Sequence, residues 1–149
     1  MTETMAKTFY WTNQLSDRHE ARVIEELIEK HTGLILDNPF YGHDGTPTKE
    51  IEQLDNGEPV TISDAEIVAV DMKKIREADG IIAYMKSYSL GSPMEVFYAH
   101  EILGKPVYVI CVNDSMRNHP WLRYCTNRIF NNPREFIRFA KENLNENND

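Results

Sequence analysis

Two short apolar runs, Gly80 to Met85 and Pro106 to Val112, flank a segment in which Val96, Ala99 and Leu103 recur at helical spacing before the chain turns at Gly104. Strand, helix and strand in that order predict a βαβ crossover joining two parallel strands. The rest of the chain extends this alternation. Lys7 to Thr12 is aromatic and β-prone and predicts a first strand with polar groups at its carboxyl end. From Ser16 the pattern turns helical, with Ala21, Ile24, Leu27 and Ile28 on one face and Glu25, Glu26, Glu29 and Lys30 on the other, until Gly33 stops it. Leu34 to Leu36 predicts a short second strand. Ser63-Asp64-Ala65-Glu66 reads as a capping box opening a helix that carries Ile67, Val68, Met72 and Ile75 as far as Ala78.

After the central unit, residues 113 to 119 are polar and end a strand, and Pro120-Trp121-Leu122 predicts a turn of helix. Arg128-Ile129-Phe130 is a candidate last strand, and Pro133 to Leu144 a final amphipathic helix with Phe136, Ile137, Ala140 and Leu144 on one side. Residues 38 to 60 break the rhythm. Their prolines and glycines exclude a long regular element and leave room for about one helical turn around Lys49 to Leu54. Strands alternating with helices in one layered unit give an α/β class with a mostly parallel sheet.

The chain has 149 residues, enough for one domain, 1–149, with a single sizeable core. Its net charge of −8 comes without any basic stripe, which argues against binding a nucleic-acid polymer. Cys111 and Cys125 lack metal-ligand spacing, and the histidines do not pair, so neither a disulfide nor a metal site is expected. No apolar run reaches membrane-spanning length and no signal-peptide core is present, so a cytoplasmic protein that does not engage membranes is expected.

The candidate chemistry gathers near strand ends. Ser92-Pro93-Met94-Glu95 opens the central helix after a turn through Ser89 and Gly91. Spacing alone favours a capping box between Ser92 and Glu95, yet a helix N-terminus also keeps a carboxylate ionised, as a nucleophile must be. Tyr10 lies near the carboxyl end of the first predicted strand. Asp71 stands in mid-helix between Val70 and Met72, where pattern alone favours the solvent face over a site. Tyr41, His43 and Asp44 could touch a ligand from the long loop or merely decorate it. Neither a lysine-bearing phosphate loop nor a dinucleotide fingerprint is present, which weighs against nucleoside triphosphatases and dinucleotide enzymes.

Three motifs together resemble the nucleoside 2-deoxyribosyltransferase family, over Lys7 through Val112. They are Lys7-Thr8-Phe9-Tyr10; Asp71-x-x-x-Ile75-x-x-Ala78-Asp79; and Gly91-x-x-x-Glu95-x-x-Tyr98-Ala99 followed by Gly104-Lys105-Pro106-Val107. The resemblance implies a flavodoxin-like domain with a five-stranded, mostly parallel sheet and helices on both faces. It further implies that Glu95 attacks the anomeric carbon of a sugar, that Tyr10 orients the carboxylate, and that Asp71 serves the departing base. Where the transferases usually carry an aspartate, this chain has Ser89. Ser89-Leu90-Gly91 is similar instead to the deoxynucleoside 5′-monophosphate N-glycosidase branch, in which the serine meets the phosphate. A phosphate at Gly91 and Ser92 would also find amide and hydroxyl donors.

The expected function is therefore cleavage of the N-glycosidic bond of a (deoxy)nucleoside 5′-monophosphate through a glycosyl-Glu95 intermediate, with no cofactor. Base exchange on free deoxynucleosides is the alternative within the enzyme class. A non-catalytic nucleotide sensor is the alternative outside it, against which the intact trio Tyr10, Asp71 and Glu95 counts. The resemblance also implies a homodimer or larger, paired through the helix bearing Phe97 and Tyr98, with Asn127 contacting ligand in the partner's site.

Overall fold

The computed structural model describes residues 6–42 and 44–144. Five strands form one all-parallel sheet: β1 (Thr8–Asn13), β2 (Ile35–Asp37), β3 (Gly80–Met85), β4 (Val107–Cys111) and β5 (Arg128–Phe130), in the order β2-β1-β3-β4-β5. This is the flavodoxin-like arrangement expected. The chain steps outward from β1 to β2, then crosses back to lay β3 on the other side of β1. Ligands in open parallel sheets bind where the order reverses in this way, beyond the carboxyl ends of the strands.

The connections are α1 (Arg18–Thr32), α2 (Lys49–Asp55), α3 (Asp64–Glu77), α4 (Gly91–Phe97), α5 (Asp114–Arg117), α6 (Pro120–Tyr124) and α7 (Pro133–Asn143). A π-helical stretch, Tyr98–Ile102, prolongs α4. The polar segment that ends β4, as expected, also holds α5, because Asn113 caps the amides of Ser115 and Met116.

Strand alternation divides the core in two. Phe9 and Trp11 of β1 pack with Ala21 and Ile28 of α1 and with Phe136 and Ala140 of α7. Tyr10, between them, faces the other way and packs with Ile75, Val96 and Ala99. Even-numbered positions of β1 thus point at α3 and α4. Gly80 opens β3 at a close approach: a Cβ there would lie 2.6 Å from the Pro106 carbonyl oxygen and 2.7 Å from the Phe9 ring.

In α1 the inner face runs through Ala21, Glu25, Ile28 and Thr32, all buried, while Leu27 is exposed. Glu25 was expected on the outer face. Its spacing from Ala21 and Ile28 puts it on the buried one, where Arg22 and Asn38 reach its Oε2. Burial drives its carboxyl up to about 7 against the pull of Arg22.

Candidate active site

Glu95 stands one turn into α4, where the helix passes over the carboxyl half of β1. Its carboxylate is not folded back on its own helix. Thr12 Oγ1 donates to Oε1 at 2.7 Å, and the Tyr10 hydroxyl donates to Oε2. The expected capping box between Ser92 and Glu95 is therefore absent. The helix begins earlier, with Leu90 at its cap position, and Ser92 lies inside the first turn. Ser92 Oγ instead meets Thr12 Oγ1 at 2.8 Å, and the Ser92 amide leans on Ser89 Oγ at 3.4 Å. The second box, at Ser63, does form on its serine side, with Ser63 Oγ accepting from the Glu66 amide.

A cavity of about 370 Å³ opens above these residues. Tyr10, Thr12, Asn13 and Gln14 floor it, Ser89, Gly91, Ser92 and Glu95 form one wall, and Ile67, Asp71, Met72 and Ile75 of α3 form another. Pro39, Phe40 and Glu50 close it from the long excursion. The structure thus gathers Tyr10, Asp71, Ser89, Gly91, Ser92 and Glu95 around one space. Ile67 and Met72, expected to cover the sheet, line this space together with Asp71, which explains an acid among apolar neighbours.

Asn127 lies elsewhere in the chain. Its Oδ1 accepts from the Val107 amide at 2.9 Å, at the amino end of β4 and so at the opposite end of the strands from the cavity. Nor do Tyr41 and Asp44 of the loop line the cavity. The Tyr41 ring lies under the Arg22 guanidinium at 4.3 Å, Asp44 Oδ1 accepts from the Thr46 amide, and His43 falls outside the described residues. Sequence reading overlooked Thr12, Phe40 and Glu50. For Thr12 a signal existed, since it stands two residues after Tyr10 on one strand and must share its face.

The electrostatics sort the acids into different roles. Burial raises Glu95, opposed by the hydrogen bonds from Tyr10 and Thr12. Burial, the charge of Glu95 and then that of Glu50 raise Asp71 to about 7, against a smaller pull from Lys74. Tyr10 is pushed well above its ordinary value by burial and by Glu95, so its phenol remains a donor. A buried carboxylate held by two donors thus shares the cavity with a carboxyl whose hold on its proton is raised, two acids with different environments. A larger cavity of about 570 Å³ lies on the far side of α4, lined by Tyr88, Phe97, Met116 and Trp121. It contains none of these acids.

Solved structures share this fold, two of them as follows. One is a 2-deoxyribosyltransferase from the psychrotolerant bacterium Bacillus psychrosaccharolyticus, with a TM-score of 0.60 and 16% identity, over 87% of this chain and 90% of that one. The other is the CMP N-glycosidase BcmB of Clostridium botulinum, with a TM-score of 0.56 and 17% identity, over 89% of this chain and 96% of that one. At these identities the likeness defines the fold, that of 2-deoxyribosyltransferase and N-glycosidase structures, and assigns no substrate. No family model matches the sequence, and no curated protein matches it.

Proposed function

We propose that this protein cleaves the N-glycosidic bond of a nucleoside or nucleoside 5′-monophosphate by double displacement at the sugar. The observation that carries the reading is the placement of Glu95: its carboxylate is held by Tyr10 and Thr12 across one cavity from Asp71. In the first step a Glu95 oxygen attacks the anomeric carbon and the bond to the base nitrogen breaks. The electron pair leaves with the base, which takes the proton of Asp71. The sugar is then an ester of Glu95. In the second step Asp71, now a carboxylate, takes a proton from water or a second base as that nucleophile attacks the same carbon; the ester bond breaks, its electron pair returns to Glu95, and both side chains regain their starting forms, with net retention as in retaining glycosidases.

For the group at the sugar's 5′ position, Ser89 and the Gly91 turn supply polar contacts suited to a phosphate. A second reading, the free nucleoside, is favoured by one observation: among the described residues, those lining the cavity include Glu50, Asp71 and Glu95 but no lysine, arginine or histidine. A phosphate dianion in this chain alone would meet carboxylates without a counter-charge. We further infer a homodimer, because Met94, Phe97, Ile102, Trp121 and Tyr124 are exposed together along α4, its π-helical extension and α6.

Incubation with a panel of nucleosides and their 5′-monophosphates, followed by chromatography for free base, tests the reading. Release of base from at least one class is expected. Binding without release across the panel would favour the sensor alternative.

A further inference from the structure

The hydroxyl protons around Glu95 have a fixed direction. A carboxylate only accepts, so the single proton of Thr12 Oγ1 points at Glu95 Oε1, 2.7 Å away. Thr12 can then only accept from Ser92 Oγ, at 2.8 Å. Ser92, buried beneath the start of α4, thus donates to Thr12, Thr12 donates to Oε1, and Tyr10 donates to Oε2. Strand geometry sets this up, because residues 10 and 12 of β1 share a face and each oxygen of Glu95 receives one of them.

We propose that Thr12, oriented by Ser92, is a positioning residue that fixes the Glu95 carboxylate in its attacking orientation and holds it ionised. The inference rests on the nucleophile reading above and deepens it. Two charge-assisted hydrogen bonds oppose the burial that drives the Glu95 carboxyl upward. The titratable groups facing Glu95 are Tyr10 from β1 and Asp71 from α3, with Glu50 of α2 acting on Asp71 behind them. Losing one donor therefore shifts Glu95 toward its protonated, inert form. A corollary concerns Ser92: with its proton directed at Thr12, it has none for a ligand, which leaves the Ser89 hydroxyl as the donor for a 5′ substituent.

The test compares Thr12→Val, Thr12→Ser and Ser92→Ala by two readouts. One is the acid limb of kcat/KM for base release. The other is the carbon-13 titration of the Glu95 carboxyl, assigned by its absence in Glu95→Gln and independent of turnover. Thr12→Val should raise both midpoints by about one to two pH units, as expected for losing one charge-assisted hydrogen bond. Thr12→Ser should restore the original values. Ser92→Ala should raise them less, without changing the ratio of activity on monophosphate and nucleoside. A Thr12→Val protein with an unmoved midpoint overturns the inference, even if its thermal stability drops. Should Thr12→Val not fold, Ser92→Ala decides, since it leaves β1 intact, and an unmoved midpoint again overturns the inference. Full base release by Glu95→Gln would remove the nucleophile reading, while the carbon-13 midpoints would still show whether Thr12 governs that carboxyl.

Discussion

Asp71 keeps its proton to about pH 7 because it is partly buried and because Glu95 faces it across the same cavity. In the proposed mechanism, the attacking carboxylate thereby maintains the acid that its own attack requires. If Asp71 delivers a proton to the departing base, the protonated form is the active one, and kcat/KM should fall as pH rises through about 7. Glu50 also raises Asp71, so Glu50→Gln should move this basic limb to lower pH. An unchanged limb in that variant would show that Asp71 is not the titrating acid.

Replacing Glu95 by glutamine preserves shape but removes the attacking oxygen's charge. Base release should drop by at least about three orders of magnitude while nucleoside or nucleotide affinity, measured by calorimetry, changes little. Parallel losses of rate and affinity would point to a binding role instead.

Glu25 makes a separate prediction about stability. Its carboxyl, wholly buried in α1, is raised from 4.5 to about 7, so between those values the folded state holds a proton that the unfolded chain has released. Stability contributed by this group is thus fully present below about pH 4.5 and is lost as pH rises toward 7, by up to roughly 3 kcal/mol. Glu25→Gln should flatten the fall in Tm across that interval. A slope identical to that of the wild type would contradict the assignment.

Gly80 is a steric test of the sheet. A methyl group there meets the Pro106 carbonyl oxygen, which belongs to the backbone and cannot swing aside. Gly80→Ala should cost about 1–3 kcal/mol in denaturant unfolding, as overpacking does. A neutral substitution would mean that β3 and the start of β4 part more easily than their register implies.

The apolar surface over α4 and α6 carries the assembly prediction. Phe97 and Trp121 lie with ring centroids 6.2 Å apart, both exposed. Light scattering should give a particle of about twice 17.3 kDa, and Trp121→Glu should halve it. A fully active 17.3 kDa particle would rule out the shared site.

The sheet was legible because its strands are buried on both faces and read as apolar runs, so β3 and β4 appear almost residue for residue. Tyr10 and Glu95 were legible through motif spacing. What escaped depends on direction. Hydropathy places Glu95 at a helix start but does not show which way its carboxylate turns, and two hydroxyls from β1 outcompeted the capping amide. Glu25 and Asp71 are acids that pattern assigned to solvent, and the fold turned one into the core and the other into the cavity. Phe40 and Glu50 arrive from the excursion between β2 and α3, whose path no periodicity encodes.

The proposed mechanism passes through a covalent glycosyl ester on Glu95. Incubating the protein with a 2′-fluoro-2′-deoxynucleoside and its 5′-monophosphate, quenching in acid and mapping peptides by mass spectrometry tests it most directly, because the fluorine slows release of the intermediate. A sugar adduct is expected on the peptide containing Glu95 and should be absent from Glu95→Gln. An adduct on another residue, or its persistence in Glu95→Gln, would contradict it.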